Sequence, residues 1–164
     1  MIKALLLKSV PKIYQDTLFV RLFGLTKVPL IYWVSPSVIR LDDKECIVKI
    51  PLNRKTKNHL NSMYFGVLAT GADLAGGLVA MKEITDSKKK VALSFKDFHA
   101  EFLKRAEGDV YFKCTQIPEI RKFVSDVIAS GERMNFPVEI VASVPSLGEE
   151  VVAKFILTLS LKVK

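Results

Sequence analysis

The sequence predicts an α+β domain in which an antiparallel sheet wraps around one long central helix. A helical, largely apolar segment of twenty residues without proline runs from about Ser62 to Met81, and several alternating strand-like runs lie on both sides of it. The chain has 164 residues, which suits one hydrophobic core better than two. We therefore expect residues 1–164 to form a single domain, with an amphipathic helix near its N-terminus.

The first predicted element is this amphipathic helix, from about Lys12 to Phe23, with Gly24 as its stop. Its apolar positions recur with a rough helical period and are Ile13, Leu18, Val20, Leu22 and Phe23. Such a helix can lie on a membrane, but we expect it to pack on the core of the protein itself.

Two strands should follow the first helix. The run VPLIYWVSPSVIRL is extended by composition, and ECIVKIPL alternates like a half-buried strand, with a turn at Asp42, Asp43 and Lys44 between them. In the first run Ile31, Tyr32 and Trp33 suit the core better than the wall of a ligand pocket.

The central helix should begin after an N-cap at Asn61 or Ser62, and Ser62 suits a cap better than a nucleophile. It contains a single acid, Asp73, among small and apolar residues. A buried carboxylate is unfavourable unless it is paired, hydrogen-bonded or used in chemistry, so Asp73 is the leading candidate for a functional residue. The helix also contains four glycines, Gly66, Gly71, Gly76 and Gly77. Glycine disfavours a helix, so a sheet, a ligand or a second subunit should approach its backbone closely.

After Met81, EITDSKKK reads as a polar connection and KVALSFKD as a strand, and residues 97–108 as a short irregular or helical crossing. DVYFKCTQ alternates again, and a short amphipathic helix should run from Pro118 to a stop at Gly131. The last third contains two β-rich runs that should pair as an antiparallel hairpin around Ser146, Leu147 and Gly148.

The net charge of +8 favours an anionic partner, which could be nucleic acid, a membrane surface or a phosphorylated small molecule, although solvated faces would also account for it. No aromatic stacking pattern or DNA-reading helix is present, so we expect no nucleic acid partner. The basic residues concentrate in two clusters: Arg54, Lys55 and Lys57, and Lys88, Lys89 and Lys90.

The two cysteines, Cys46 and Cys114, lie in alternating apolar runs without metal-type spacing, and we expect them to be buried thiols. Neither a signal peptide nor a transmembrane segment is expected, because the N-terminal apolar run is short and broken by lysines. These features together predict a cytoplasmic protein without a metal site.

The segment NHLNSMYFGVLATGAD resembles the signature of the hot-dog superfamily, in which an antiparallel sheet curls around a long helix. It is most similar to an uncharacterised thioesterase-like subgroup near the phenylacetyl-CoA thioesterase branch. In this match Asn58 takes the position of the family asparagine, Phe65 and Gly66 that of a glycine pair, and Asp73 that of the catalytic acid. Tyr64 and Phe65 stand where the family has histidine and its first glycine.

The resemblance implies an acyl-CoA thioesterase in which coenzyme A is part of the substrate and no other cofactor is needed. Asp73 would act as general base or nucleophile, and backbone N–H groups of Phe65 and Gly66 would bind the oxyanion. Asn58 would orient the acyl carbonyl or the water, and Thr70 would hold the carboxylate or position the water.

The spacing of the site residues also predicts its assembly. Asp73 follows Gly66 by seven residues, so the two lie about 10 Å apart along the helix. The resemblance implies that Asp73 of one subunit serves the helix start of another, in a homodimer or a dimer of dimers.

Two alternatives remain open for the function. A hot-dog protein can bind acyl-CoA or lipid without hydrolysis. A hot-dog dehydratase would use a histidine with an acid, here His59 with Asp73, although the spacing of Gly66 and Asp73 fits a thioesterase better. His99 has no partner in the sequence and is expected on the surface. Either basic cluster could bind the phosphates of coenzyme A.

Overall fold

The computed structural model describes residues 11–148 and 150–164, so predictions for the first ten residues lie outside the described part of the chain. In chain order its elements are α1 (Lys12–Lys27), α2 (Pro29–Trp33), β1 (Ser37–Leu41), β2 (Cys46–Ile50), α3 (Phe65–Ser87), β3 (Val91–Phe102), β4 (Val110–Cys114), α4 (Ile117–Ser130), β5 (Met134–Ser143), a 3₁₀ turn (Pro145–Leu147) and β6 (Val151–Val163).

The strands form a six-stranded antiparallel sheet in the order β1-β2-β4-β5-β6-β3. Helix α3 packs on this sheet and contacts strands from β2 to β3, while α4 packs beside α3. The predicted α+β class and the hot-dog arrangement are therefore confirmed. Strands β1 and β3 form the two edges, and β3 pairs only with β6 among the described strands.

The central helix begins later and ends later than the sequence predicted. Asn61 adopts a left-handed conformation with φ of 57°, and Tyr64 is extended with ψ of 137°, so neither can lie inside the helix. The helix therefore begins at Phe65, without a side-chain cap, instead of after Asn61 or Ser62. It continues through the predicted polar connection to Ser87 and ends where Lys88 turns left-handed.

Helix α3 is buried almost all round, as its composition indicated. By length and composition it could cross a membrane, but 67% of its most apolar window is buried, which identifies it as a core helix. The sheet approaches its backbone most closely at Gly71, where a Cβ atom would lie 2.2 Å from the ring of Phe112 on β4. The glycines thus allow the close contact that the sequence predicted.

Substitution of the helix glycines should affect stability differently at two positions. Gly71→Ala should reduce the free energy of unfolding by about 1–3 kcal/mol, because the fully buried ring of Phe112 must move. Gly76→Ala should instead raise it by about 0.5 kcal/mol, because its Cβ would meet Ile140 and Val138 at an ordinary 3.6 Å and alanine favours the helix. Urea unfolding of both variants checks this, and equal effects would contradict it.

Strand β3 is longer than predicted. The sequence predicted an irregular or helical crossing from Asp97, but the strand continues to Phe102. A register shift between Phe95 and Phe98 interrupts the pairing with β6. The shift places Phe95 and Phe98 three positions apart instead of two or four. The alternation of apolar and polar residues therefore changes phase within β3, and the sequence pattern of its second half does not continue that of the first.

The segment after α1 also differs from its prediction. The first helix continues beyond the expected stop at Gly24 to Lys27, and the apparently extended run contains the short helix α2. Pro29 occupies its first position, where the missing N–H does no harm. Gly24 is necessary for the corner between the two helices, because a Cβ there would lie 2.6 Å from the backbone nitrogen of Tyr32.

Most of the remaining elements agree with the sequence. Strand β2 buries Cys46, Val48 and Ile50 in alternation, and the final hairpin pairs β5 with β6 around the 3₁₀ turn. Helix α4 ends at Ser130, and Gly131 directly after it adopts the expected left-handed conformation. The cysteines are buried free thiols that face each other across β2 and β4, and burial raises the pKa of Cys114 to about 11.

Candidate active site

The carboxylate of Asp73 borders a cavity of about 410 Å³ between α3, β3 and the corner of α1 and α2. Within the described residues the side chain makes no hydrogen bond or ion pair. A Cβ atom at Gly77, one turn further along the helix, would lie 3.7 Å from Asp73 Oδ1 and 3.5 Å from the ring of Phe95. These are ordinary contact distances, and they place the Asp73 carboxylate and the ring of Phe95 on the same side of the helix at Gly77.

Burial raises the pKa of Asp73 from 3.8 to about 6. The cause is the loss of hydration of the charged form, and no positive group compensates for it. At neutral pH the side chain is therefore mostly ionised, yet basic enough to accept a proton from water. A carboxylate with a raised pKa at a cavity wall is a typical arrangement for a catalytic base.

The rest of the cavity wall is mostly apolar. Phe23, Val28 and Ile31 form one side of it, and the buried face of α3 and the first residues of β3 form the others. From Asp73 to Thr85 the cavity follows α3 for twelve residues, which corresponds to about 18 Å. Sequence reasoning placed Ile31 in the core and did not assign a site role to Phe23 or Val28, because only the fold brings this corner to Asp73.

The N-terminus of α3 leaves two backbone donors free. The first bonded N–H groups are those of Val67 and Leu68, which donate to the carbonyl of Tyr64 at 2.9 and 3.1 Å. In the described part of the chain the N–H groups of Phe65 and Gly66 have no acceptor, and no side chain caps the helix. Such an end favours a negatively charged oxygen, because its N–H groups and the helix dipole both point outward.

Exposed aromatic rings surround this helix end. The ring of Tyr64 lies over Gly66, where a Cβ atom would come within 2.7 Å of it, and its centroid is 4.8 Å from that of Phe65. Phe65 is 60% exposed and contacts Phe102 at the end of β3. Phe98, on the same strand, is also exposed. Apolar surface therefore follows the free edge of the sheet up to the helix start.

The side chain of Asn58 organises the loop before α3. Its Oδ1 accepts hydrogen bonds from the backbone N–H of Leu60 at 2.8 Å and of Ser62 at 3.3 Å. Its amide also donates to Ser62 Oγ at 3.2 Å. These contacts stabilise the loop that leads into α3 at Tyr64. The predicted contact of Asn58 with the acyl carbonyl or the water stays a prediction.

Thr70 lies on the Asp73 side of α3, but its hydroxyl donates to the carbonyl of Gly66 at 2.8 Å. A hydroxyl has one proton, so in this conformation Thr70 can only accept a hydrogen bond from water or from protonated Asp73. It therefore does not hold the ionised carboxylate.

The described chain does not bring Asp73 and the free N–H groups to one point. Seven residues of helix separate Asp73 from Gly66, a rise of about 10 Å. Phe95, which lies beside Asp73, belongs to the edge strand β3, whose outer side has no partner among the described residues. Both halves of the predicted site therefore lie near the open edge of the sheet.

The two basic clusters lie at opposite ends of α3, about 34 Å apart by the length of the helix. Arg54, Lys55 and Lys57 belong to the loop at the helix start. The backbone N–H of Tyr64 donates to the carbonyl oxygen of Thr56 in this loop at 2.9 Å. Lys88, Lys89 and Lys90 follow the helix end. His59 is exposed in the loop before α3, and His99 is exposed on β3.

Comparison with known proteins gives the same fold. A family described as a domain of unknown function, DUF4442, matches residues 16–159. A Pseudomonas aeruginosa protein of unknown function, called a probable thioesterase, is 22% identical with a TM-score of 0.73 and covers 90% of this chain and 96% of its own. No curated protein matches the sequence significantly.

Two further solved structures are similar at lower identity. A Chlorobaculum tepidum protein of unknown function has a TM-score of 0.78 at 13% identity and covers 93% of this chain and 97% of its own. A mutant thioesterase of P. aeruginosa has a TM-score of 0.67 at 12% identity and covers 95% of this chain and 97% of its own. At these identities the likeness concerns the fold alone.

Proposed function

We propose, from the premise that this chain belongs to the DUF4442 family and has a hot-dog fold, that it hydrolyses acyl-coenzyme A thioesters as a dimer. The observation that supports this most is Asp73, a carboxylate without a partner among the described residues, whose pKa is raised to about 6 at the wall of an apolar cavity. Thioester hydrolysis needs a base of this kind beside a site for an acyl chain.

In the proposed reaction Asp73 accepts a proton from a water molecule while the water oxygen attacks the thioester carbonyl carbon. The carbonyl oxygen becomes an oxyanion and binds the free N–H groups of Phe65 and Gly66. The carbon–sulfur bond then breaks, the acid leaves, and the thiolate of coenzyme A takes up the proton. Asp73 could instead attack the carbonyl itself, and water would then hydrolyse the resulting anhydride.

The donors and the base should come from two subunits. About 10 Å of helix separates them within one chain, which is too far for both to act on one carbon. The unpaired side of the twelve-residue strand β3 and the exposed rings of Phe65, Phe98 and Phe102 provide a surface for a second copy. A two-fold axis at this edge would make two equivalent sites.

The acyl tail should occupy the cavity that extends from Asp73 toward the C-terminal end of α3. A fully extended chain of single bonds advances about 1.2 Å per bond, so about 18 Å accommodates roughly 15 bonds, a tail of about 14 to 16 carbons. The apolar lining favours an unsubstituted tail, because a polar group there would lose its hydration without gaining a partner.

The coenzyme A moiety should leave the site in the direction opposite to the tail, toward the helix start of the partner. The cluster of Arg54, Lys55 and Lys57 lies beside that helix start, whereas Lys88, Lys89 and Lys90 lie beside the acyl end of the cavity. Lys55 already contacts the ring of Trp33 at 4.6 Å. Lys57 Nζ donates to Asn61 Oδ1 at 2.9 Å but has further N–H groups to offer, so Arg54 and Lys57 are the expected phosphate contacts.

Removal of this positive charge should weaken binding of the nucleotide without affecting the chemistry. Arg54→Ala with Lys57→Ala should raise KM for an acyl-CoA about tenfold, with kcat nearly unchanged, since only uniform binding is lost. KM for the corresponding acyl-pantetheine thioester, which lacks the nucleotide, should not change. Lys88→Ala with Lys89→Ala is the matched control, and a larger rise of KM in this control would contradict the assignment.

The function itself is tested by incubating the purified protein with acyl-CoAs of increasing length and trapping free coenzyme A with a thiol reagent. Turnover above that of Asp73→Ala, greatest for the longer tails, supports the proposal. Saturable binding without turnover would instead identify a non-catalytic acyl-CoA-binding protein. Hydration of crotonyl-CoA would identify a hydratase or dehydratase.

A further inference from the structure

The outer side of α1 and α2 carries a row of exposed apolar residues. Tyr14, Leu18, Leu22 and Leu25 follow one another along α1 at intervals of four, four and three residues, and all are exposed. Leu30 and Trp33, three positions apart, are exposed on one side of α2, and Trp33 is 55% exposed. We call these six residues the apolar stripe.

The apolar stripe corrects the sequence prediction for α1. The helix packs on its own core through Val20 and Phe23, as predicted, but Leu18 and Leu22 are exposed. Helix α1 is thus apolar on its outer side as well as on the side that faces the core. Within residues 11–148 and 150–164, nothing covers this outer side.

Lysines outnumber acids around the stripe, although Asp86 on α3 lines the groove beside Leu18 and Leu22. Between Lys12 and Trp33 the chain contains a single acid, Asp16, which is buried and forms an ion pair with Lys82 on α3. Lys12 and Lys27 are exposed at the two ends of α1. At the other end of the stripe, Lys55 lies over the ring of Trp33.

We propose that the apolar stripe docks the protein on an anionic lipid membrane. An apolar helix face with lysines at its ends, and with tyrosine and tryptophan among the apolar residues, has the composition of a helix that lies in the interface of a bilayer. A second copy of the chain fits this surface less well, because two facing stripes would bring the lysines at the ends of α1 and beside Trp33 against those of the other copy.

The position of the stripe suits a substrate that carries a long tail. Phe23, Val28 and Ile31, from the corner between α1 and α2, form a wall of the cavity beside Asp73. A protein held on a membrane by this corner has that cavity wall next to the lipid. Docking does not depend on hydrolysis, so it is measured without a substrate.

The test measures sedimentation of the full chain with vesicles of phosphatidylcholine alone or of equal parts phosphatidylcholine and phosphatidylglycerol. The wild type should sediment with the anionic vesicles, and less so at high ionic strength. Leu18→Ser with Leu25→Ser and Trp33→Ser should reduce its partition onto them at least about tenfold. Leu147→Ser, an exposed leucine in the turn before β6, is the matched control and should bind normally.

A second variant tests the charge separately, in case the serine variant folds poorly. Lys12→Glu with Lys27→Glu should lower binding to anionic vesicles about tenfold or more, whereas Lys113→Glu with Lys162→Glu, on strands β4 and β6, should have a smaller effect. Wild-type protein that remains in the supernatant with both vesicle types would overturn the proposal. So would a serine variant that binds vesicles normally but has lost a subunit contact in light scattering.

Discussion

Asp73→Asn should make the protein more stable and inactive at the same time. At pH 7.5 the free energy of unfolding should rise by about 2 kcal/mol, because the folded protein no longer holds a poorly hydrated charge. The rate constant kcat for thioester hydrolysis should fall about 10³-fold, the effect expected for loss of a general base. Urea unfolding and the thiol-release assay measure the two changes on one preparation.

The gain in stability should depend on pH in a defined direction. The pKa of Asp73 is raised from 3.8 to about 6 on folding, so the folded protein binds more protons than the unfolded chain between these values. The contribution of Asp73 to stability is therefore fully present below pH 3.8 and is lost as the pH rises through 6. The advantage of Asp73→Asn should consequently shrink as the pH is lowered from 7.5 toward 4.

The same ionisation should control activity in the wild type. The ratio kcat/KM should rise with pH and level off above an apparent pKa near 6, because only the ionised carboxylate accepts a proton. Asp86→Asn, which changes an exposed acid on the same helix, should alter stability by less than about 0.5 kcal/mol and leave the profile unchanged. An Asp73→Asn protein that is less stable would show that this carboxylate has a structural role, and one that is still active would show that it is not the catalytic base.

The leading site residue could be predicted from the sequence because its signal is local. Asp73 is the single acid in an apolar helical segment, and an unfavourable residue in such a position indicates a use. The glycines carried a similar signal, and the closest approach they allow is that of Phe112 to Gly71. The inferences about Asp73 and about the glycines both follow from how unfavourable these residue types are inside an apolar helix. They need no knowledge of which residues lie nearby in the fold.

The start of the helix could not be located in the same way. Asn61 and Ser62 are good caps by residue type, but Oδ1 of Asn58 accepts the N–H of Ser62 and the loop turns left-handed at Asn61. The helix therefore starts at Phe65 without a cap, and this leaves the donors free. The side chain of Asn58 thus bonds a backbone N–H of the loop and prevents an earlier helix start, and this determines which N–H groups are free to bind an oxyanion.

Elements that depend on tertiary contacts were predicted least well. The second half of β3 was not predicted because of the register shift between Phe95 and Phe98. Helix α2 was not predicted because it depends on the close contact at Gly24. Phe95, at which the register shift begins, and residues of the corner between α1 and α2 line the cavity that Asp73 borders. The composition of the run around Trp33 favoured an extended segment, but packing on α1 overrides that preference.

Phe65→Pro should remove one proposed oxyanion donor while preserving the helix. Proline lacks an N–H and fits the first position of a helix, and Tyr64 already has the extended conformation, with φ of −64° and ψ of 137°, that a residue before proline prefers. We expect kcat to fall about 10²-fold with little loss of stability. Phe65→Ala, which loses the ring but keeps the N–H, is the control and should retain most of kcat. Equal losses in both variants would indicate that the ring matters and the donor does not.

Mixing the two inactive variants tests whether the site is shared between subunits. In a heterodimer of Asp73→Asn and Phe65→Pro, one shared site combines an intact Asp73 from one chain with an intact helix start from the other, while the second site lacks both. Random exchange of subunits should therefore restore about a quarter of the wild-type activity, since half of the dimers are mixed and each has one intact site. If base and donors belonged to the same chain, every site in the mixture would lack one of them and the activity would not recover. Unfolding and refolding the two proteins together, compared with refolding them apart, distinguishes these results.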